Sequence, residues 1–302
     1  MSCRYKKTIL IVGCGDIALR TAPLLQKHYR ILGLWRNPDS ANHLRSRGII
    51  PVYGNLDFPR TLKKLAGIAH LVLHFAPPPN QGSKDTRTMH LLSALTRHSK
   101  KQTAILPQRL IYISTSGVYG NCHGKEIDET YRIHPESDRA IRRVSAEKQI
   151  KQWGERNQIE VSILRVPGIY SDDRLPLARL RDGHPTITDA EDSYTNHIHA
   201  NDLARIISAA LRYAKPHRIY HTSDDSQLKM GEYFDLVADH FNLPHPPRIT
   251  RSEAQKSLSP SMLSFINESR RLKNLRMKKE LHIKLLFPTA FHGIQTIPRD
   301  AK

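Results

Sequence analysis

Two arginines lie four residues apart in the stretch SDRAIRRVSAEKQ at residues 137–149. Arg139 and Arg143 share one face if this stretch is helical, because side chains four positions apart stack on a helix. Two stacked guanidiniums suit a solvated helix face, a nucleic-acid contact, or an active site from which a more usual residue is missing. Arginine stays protonated throughout the useful pH range, so its chemistry is anion binding rather than proton transfer.

A glycine-rich segment, GCGDIA at residues 13–18, follows the apolar run TILIV and precedes an amphipathic helical pattern. Gly13 permits a tight turn, Gly15 lets the backbone approach a pyrophosphate, and Ala18 stands in the place of a third glycine. Free N–H groups and the helix dipole would then hold the phosphates. A turn that binds nothing is the alternative. The predicted cofactor contacts here are Gly13, Gly15, Asp16 and Ile17.

The end of the predicted second strand bears on which dinucleotide binds. An acid at this point meets the ribose 2′-hydroxyl of NAD, whereas an arginine accommodates the 2′-phosphate of NADP. The segment LGLWRNPD has no acid at the strand tip and places Arg36 just beyond it, which favours NADP over NAD. A plain surface role for Arg36 is the alternative. The ends of the third and fourth strands are predicted to contribute Asn55, Leu56, Ala76 and Pro77.

Short apolar runs alternate with helical patterns along the first half of the chain. This spacing predicts an α/β fold with a doubly wound parallel sheet, whose strands are apolar throughout because both faces are covered. After residue 166 the rhythm becomes irregular. We therefore expect one domain over residues 1–166 and a smaller lobe over 167–302, with residues 217–223 returning a strand to the main sheet.

The 302 residues include 47 basic and 28 acidic side chains, a formal net charge of +19. Such a surface attracts polyanions, but no nucleic-acid recognition motif accompanies the charge, which argues against specific nucleic-acid binding. Three cysteines without a CxxC pair indicate a reducing compartment. No run approaches the roughly 18 apolar residues of a membrane span. We expect a cytoplasmic protein without membrane association, and no metal site, since His197 and His199 lack a supporting acidic cluster.

Several segments, taken in order, resemble the extended short-chain dehydrogenase/reductases of the NAD-dependent epimerase/dehydratase type. The most specific is TSGVYG at residues 115–120, where the family writes Ser or Thr, two variable residues and Val-Tyr-Gly, so Thr115 holds the place of the catalytic hydroxyl. The other segments are GCGDIA, FAPPP, LRVPGIYS, NHIHANDLA and SRRLKNLRMKKEL. The resemblance implies a Rossmann domain that binds NAD(P), a C-terminal substrate lobe often used for nucleotide sugars, and hydride-transfer chemistry. A homodimer through the helices flanking the site stays open.

The sequence departs from this family on the helix after that motif. The family places Tyr-x-x-x-Lys there, with a Glu four residues beyond the Lys. Aligned on Glu147, the Tyr position falls on Arg139 and the Lys position on Arg143, as in atypical, tyrosine-lacking members. Arg143 is predicted to bind ribose hydroxyls or phosphate, and Arg139 to hold an anionic substrate group. Gly168, where extended members often carry Asn, is a second departure.

Other side chains on the motif loops are candidates for the role of the missing tyrosine: Tyr119, Tyr170 and His199. We expect Tyr119 to pack and Asp202 to cap a helix that begins near Leu203. Asn274 and an arginine beside it are expected to anchor the last helix to the substrate lobe. The sequence thus predicts an NAD(P)-binding protein that acts on a polar or nucleotide-linked small molecule. The alternatives are a catalytically silent dinucleotide-binding sensor and a nucleic-acid-associated protein that uses the basic charge.

Overall fold

A seven-stranded parallel sheet forms the centre of the structure, a computed structural model that describes residues 6–37, 41–97 and 105–299. Its strands are β1 (Lys7–Val12), β2 (Tyr29–Trp35), β3 (Ile50–Tyr53), β4 (Leu71–His74), β5 (Arg109–Thr115), β7 (Glu160–Val166) and β11 (Arg218–His221). They lie in the order β11-β7-β5-β4-β1-β2-β3. The order reverses between β1 and β4, and ligands of such sheets bind at this point, outside the carboxyl ends of the strands. The arrangement confirms the predicted doubly wound α/β fold.

Helices cover both faces of the sheet. The α-helices in the described ranges, including those of the smaller lobe, are α1 (Asp16–Leu25), α2 (Ala41–Ser46), α3 (Thr86–Leu95), α4 (Asp138–Asn157), α5 (Leu177–Arg181), α6 (Ala200–Tyr213), α7 (Met230–His240), α8 (Arg251–Ser257), α9 (Pro260–Ile266), α10 (Leu275–Glu280) and α11 (Ala290–Gln295). Along β1, Ile9 and Ile11 pack in one buried cluster with α1 and α6, while Leu10 and Val12 pack in another with α3 and α4. This two-sided burial explains why the strand is apolar at successive positions. No helix in the described ranges is long and apolar enough to cross a membrane.

The chain after β7 builds a third apolar cluster, apart from the two on the sheet, which includes Tyr170, Tyr233, Phe234 and Ile294. Short strands tie its loops together in parallel pairs: β8 (Gly168–Tyr170) with β10 (His197–His199), β9 (Thr186–Ile187) with β12 (Arg248–Ile249), and β6 (Glu126–Ile127) with β13 (Arg271–Leu272). The β6–β13 pair joins the segment after β5 to the C-terminal part of the chain. Between these pieces, β11 lies beside β7 at the edge of the main sheet.

Two anchoring expectations differ from what the structure shows. Helix α6 begins at Ala200 and is capped by the His199 side chain, which accepts a hydrogen bond from Asn201 N at 3.2 Å. Asp202 therefore does not cap the helix; its buried carboxylate accepts the backbone N–H groups of residues 286 and 287 at 3.0 and 2.8 Å. The chain leaves β10 directly into the helix, so the cap falls earlier than the sequence pattern indicates.

Helix α10, which follows the SRRLKN segment, is anchored by Asn274 and Arg276. Asn274 Nδ2 donates to Ser223 O at 2.9 Å, just beyond β11, and Arg276 Nη1 donates to Ile219 O within β11 at 3.0 Å. The expected anchoring pair is present, but it holds the helix to the edge strand of the main sheet rather than to the smaller lobe.

Candidate functional site

The turn between β1 and α1 is held open by two glycines. Gly13 has a φ of +97°, and a Cβ built on it would lie 2.5 Å from Ala76 N, so this position admits only glycine. A Cβ at Gly15 would meet nothing within 4 Å, which leaves open space in front of the turn. No side chain caps the first turn of α1, which begins at Asp16. Its N–H groups are therefore placed to meet an anion.

A cleft of about 580 Å³ opens in front of this turn, at the carboxyl ends of β1, β2, β3 and β4. The structure brings all of the predicted cofactor residues to its wall: Gly13, Gly15, Asp16, Ile17, Arg36, Asn55, Leu56, Ala76 and Pro77. Trp35, His43, Arg87 and Arg174 also line it and were not predicted. We call this space the cofactor cleft. Its place at the strand-order reversal is where open α/β sheets bind nucleotides.

Arg36 lies at the mouth of the cofactor cleft with 67% of its side chain exposed, and its Nη1 is 3.9 Å from Asp57 Oδ2. Asp57 is held more closely by Arg87, whose Nε and Nη2 donate to its two carboxylate oxygens at 2.7 and 2.8 Å. The Arg87 hydrogen bond lowers the pKa of Asp57. With Asp57 held by Arg87, the Arg36 guanidinium is available to a ligand.

Asp16 would place a negative charge near the predicted pyrophosphate position, but two arginines compensate it. Arg20 Nε donates to Asp16 Oδ1 at 2.7 Å, and Arg174 Nε lies 3.3 Å from Asp16 Oδ2. Cys14, between the two glycines, has its pKa raised to about 12 by burial, so its thiol stays neutral. The turn therefore presents no uncompensated negative charge to a phosphate.

A second cleft, of about 530 Å³, adjoins the first and is lined by Thr115, Arg139 and Arg143. Pro77 and Arg143 line both clefts, so the two spaces meet there. We call the second space the substrate cleft. The side chains expected to act on a substrate thus lie together, beside the space expected to hold the cofactor.

Arg143 is fixed at this junction by the end of β5. Its Nη1 donates to Ile113 O at 2.7 Å and to Tyr112 Oη at 3.0 Å. Burial raises the pKa of Tyr112 to about 12, so this hydroxyl is neutral. Thr115 Oγ1, two residues further along, accepts a hydrogen bond from Gly117 N at 3.2 Å and also lines the substrate cleft. The hydroxyl therefore supports the turn after β5 and faces the cleft.

A buried network behind Arg143 fixes α4 against the sheet. Glu147 accepts hydrogen bonds from Arg165 Nε at 3.1 Å, Arg165 Nη2 at 2.7 Å and Ser114 Oγ at 2.6 Å. Arg165 Nη1 also donates to Tyr119 Oη at 2.7 Å, and Tyr119 lies 2.6 Å from His221 Nε2. Burial raises the pKa of Tyr119 to about 12 and lowers that of His221 to about 3. Tyr119 thus serves packing and hydrogen bonding in the interior.

The other side chains considered as replacements for the family's tyrosine also make contacts that stabilise the fold. Tyr170 Oη donates to Thr289 O at 3.3 Å, and its pKa is raised by burial. His199 caps α6. His197 lines the substrate cleft and stacks on Tyr233 with ring centroids 3.9 Å apart, and burial lowers its pKa to about 3. None of these groups is an acid–base group poised near neutral pH.

Three further charged side chains line the substrate cleft and were not predicted as site residues: Arg142, Glu268 and Arg270. Arg142 lies on α4 between the two predicted arginines, so the same stretch of sequence already contained it. Glu268 and Arg270 come from the segment before β13, which pairing with β6 brings to the end of β5. No sequence pattern near Glu268 or Arg270 predicts that this segment lies beside the end of β5. In the described part of the chain no three His, Cys, Asp or Glu side chains are grouped to hold a metal ion.

Two adjoining clefts at the carboxyl ends of a doubly wound parallel sheet, one around a glycine turn, define a dinucleotide-binding protein of the Rossmann type. A sequence model of the NAD dependent epimerase/dehydratase family matches residues 18–222. The chain belongs to that family. Membership supports NAD as a cofactor.

Curated relatives include the dTDP-D-glucose 4,6-dehydratases of Homo sapiens and Bos taurus, each 24% identical over 131 residues. The alignment covers 41% of this chain and 37% of either enzyme, so this chain spans little more than a third of their length. Both similarities fall short of assigning an activity.

Solved structures match over nearly the whole chain. A protein of unknown function from Silicibacter pomeroyi has a TM-score of 0.81 and 26% identity, covering 98% of this chain and 99% of its own. The UDP-glucose 4-epimerase of Thermotoga maritima has a TM-score of 0.76 at 15% identity, covering 95% and 96%. The UDP-glucuronic acid 4-epimerase of Bacillus cereus, solved with NAD, has a TM-score of 0.73 at 17% identity, covering 96% and 97%. The two epimerases establish the shared fold.

Proposed function

We propose that this protein binds NADP in preference to NAD and transfers hydride to or from a polar or nucleotide-linked small molecule. The observation that carries the proposal is the junction of the two clefts at Arg143 and Pro77. A dinucleotide along the first cleft would end beside a substrate in the second.

The residues present fit such a cofactor. The open space at Gly15 and the uncapped first turn of α1 suit a pyrophosphate, which a side chain at residue 15 would displace. Arg174, beside Asp16, adds a cation to the same turn. Asn55 and Leu56 would lie along the adenosine, and Ala76 and Pro77 along the part that reaches the substrate cleft.

The preference for NADP rests on Arg36. Its guanidinium is two-thirds exposed at the cleft mouth, beside Asp57, which Arg87 already neutralises. A 2′-phosphate would gain a charge-assisted contact with Arg36, whereas a 2′-hydroxyl would gain little from it.

The nicotinamide, when bound, supplies or accepts the hydride. Thr115 orients the substrate oxygen, and Arg143, held by Ile113 O, contacts the ribose or the substrate from a fixed position. Arg139 and Arg143 transfer no proton, because a guanidinium does not lose one in this pH range. In a reduction the new alkoxide oxygen then takes its proton from water, and in an oxidation the hydroxyl proton leaves to water.

The second candidate is a dinucleotide-binding sensor without chemistry. The arginines at 139 and 143, in the places of the family's tyrosine and lysine, favour it. In that case the cofactor cleft works as proposed, and the substrate cleft binds an effector or a partner segment.

Fluorescence titration with NADPH and, separately, with NADH tests the shared part of both candidates. We expect saturable binding of both, tighter for NADPH. Absence of saturable binding would refute the proposal and the sensor together. Absorbance at 340 nm with nucleotide sugars and small hydroxy acids then separates them, because a sensor binds the cofactor and never turns it over.

A further inference from the structure

The substrate cleft has a strongly unbalanced charge. Among the described residues that line it, the ionised side chains are Arg139, Arg142, Arg143, Arg270 and a single carboxylate, Glu268. Grouped guanidiniums withdrawn from water are unfavourable unless anions pair with them. Arg143 donates to neutral oxygens at the end of β5, and neither of these contacts brings a negative charge to it. The wall therefore carries more positive charge than its own carboxylate neutralises.

Two of these arginines are buried and only partly satisfied. Arg142 and Arg270 are each 8% exposed, and the buried Nε of each has no hydrogen-bond partner. Arg142 Nη1 donates to Gly82 O at 2.9 Å, and Arg270 Nη1 donates to Gly120 O at 2.8 Å. These carbonyl contacts fix both guanidiniums in place without supplying negative charge, and Arg270 finds its only charged contact among the described residues in Glu268, 2.9 Å from its Nη1. The arginines are preorganised for a ligand rather than solvated on a helix face.

The third arginine, Arg139, faces the same group. Burial lowers the pKa of Arg139, with opposing influences from Glu268, which raises it, and Arg270, which lowers it. Arg139, Arg142 and Arg143 all lie in the first two turns of α4, which begins at Asp138. Cations are disfavoured at a helix N-terminus, where the macrodipole is positive. An anion in front of these turns would be attracted by both the helix and the side chains.

Glu268 marks the position that an anion would take. Its Oε2 lies 2.9 Å from Arg270 Nη1. A Cβ built on Gly117 would lie 3.6 Å from that oxygen and 3.5 Å from Thr115 Oγ1, so the carboxylate and the hydroxyl border the same space over Gly117. The arginines line the same cleft as Thr115, and Glu268 places Arg270 at the Gly117 turn that follows this hydroxyl.

We propose that Arg139, Arg142 and Arg270 form an anion subsite that holds a carboxylate or phosphate group of the substrate beside Thr115. The inference rests on the proposed function, because it concerns the cleft assigned there to the substrate. Planar guanidiniums bind both oxyanions through paired hydrogen bonds. Glu268 competes for Arg270, so the subsite binds its anion against an internal carboxylate. The substrate is thus a small acid or phosphate ester whose charged group lies next to its reacting carbon.

Isothermal titration calorimetry of the full chain with NADPH present tests this, using inorganic phosphate and malonate as probes at constant ionic strength. We expect saturable binding of at least one probe. Binding of phosphate alone assigns a phosphate ester, binding of malonate alone assigns a carboxylate, and binding of both assigns a site for either oxyanion. Binding of neither overturns the subsite.

Four variants sharpen the result. Arg139→Gln and Arg142→Gln should each weaken the probe about tenfold, the loss of one charge-assisted contact. Arg156→Gln is the matched control, since it removes the same charge from the exposed last turn of α4 and should change nothing. Glu268→Gln should tighten binding by the folded protein about tenfold, because a nearby negative charge is lost and Arg270 is released, while the loss of this buried ion pair should lower the free energy of unfolding. Equal effects of Arg139→Gln and Arg156→Gln, or weaker binding in Glu268→Gln, would contradict the proposal.

The same samples separate this inference from the proposed function. NADPH titration precedes each anion titration. If NADPH binds and neither probe does, the anion subsite is wrong while the proposed function stands. If NADPH itself does not bind, the proposed function fails whatever the probes do. Arg139→Lys supplies a further check, because it keeps the charge and loses the paired contact, and should fall between the wild type and Arg139→Gln.

Discussion

Glu147 and Arg165 form a two-point ion pair in which both side chains are only 3% exposed, with Arg165 Nη2 at 2.7 Å and Nε at 3.1 Å from the carboxylate oxygens. The pair joins the middle of α4 to β7, one turn of helix beyond Arg143. It therefore sets how closely the first turns of α4, with their arginines, approach the end of β5.

Glu147→Gln should destabilise the protein strongly, because it leaves the Arg165 charge buried without a counter-charge. Breaking one partner of a buried ion pair typically costs about 3–5 kcal/mol. The free energy of unfolding from urea denaturation measures this. Glu155→Gln, at an exposed position of the same helix, is the control and should stay within about 0.5 kcal/mol of wild type. Similar values for the two variants would show that the pair contributes nothing.

Gly15→Ala and Gly13→Ala should distinguish an effect on cofactor binding from an effect on folding. A Cβ at residue 15 meets no protein atom within 4 Å, so Gly15→Ala should fold normally while its methyl group obstructs the pyrophosphate. We expect NADPH affinity to fall at least about tenfold with little change in Tm. Gly13→Ala forces a Cβ to 2.5 Å from Ala76 N and should lower Tm as well. Normal NADPH binding by Gly15→Ala would show that the pyrophosphate does not bind at this turn.

If the guanidinium holds the 2′-phosphate, Arg36→Ala should lower the affinity for NADPH about tenfold and leave the affinity for NADH nearly unchanged. Competition titrations with both dinucleotides measure the ratio. Arg30→Ala removes an equal charge from an exposed position near the opposite end of β2 and should leave both affinities unchanged. Equal losses for the two dinucleotides in Arg36→Ala would remove the basis of the assigned preference.

Stability should fall as the pH decreases from about 6.5 towards 3, because buried histidines resist protonation in the folded state. Burial lowers the pKa of His74 from its ordinary value of about 6.5 to about 3. In that interval the unfolded chain binds a proton that the folded chain does not, so unfolding becomes easier with acid, by up to about 1.4 kcal/mol per pH unit for each such group.

His74→Gln tests this dependence directly. It retains a hydrogen-bonding side chain opposite Thr88 Oγ1, which lies 2.9 Å from His74 Nε2. Between pH 6 and 4 its unfolding free energy should depend less steeply on pH than that of wild type. His28→Gln, at an exposed position, should leave the slope unchanged. An unaltered slope in His74→Gln would mean that His74 already titrates in the folded protein.

The sequence predicted those features that depend on local order along the chain. Gly13 and Gly15 could be recognised because a strand precedes and a helix follows them, and Asn55 and Ala76 because strand ends of a parallel sheet converge at one edge. Thr115 followed from a family motif. Arg270 and Glu268 could not be placed, because their approach to Thr115 depends on the pairing of β13 with β6 across more than a hundred residues.

The error at Asp202 has a related cause. An acid near a helix start is an ordinary N-cap signal, yet here His199 caps the helix, and the Asp202 carboxylate holds backbone N–H groups from a loop more than eighty residues away. The sequence correctly predicted that the Asp202 carboxylate accepts backbone N–H groups, but it predicted the wrong donors. The fold supplied a more distant set of donors that no pattern near Asp202 indicates.

Arg143 lines both clefts from one fixed anchor on β5. Occupancy of either cleft that shifts this guanidinium alters the affinity of the other, and thermodynamic linkage requires the two effects to be equal. Cofactor and substrate would then bind cooperatively through a single side chain, because each would change the affinity for the other. Of the two residues that line both clefts, Pro77 and Arg143, only Arg143 carries a charge through which the two ligands could influence each other.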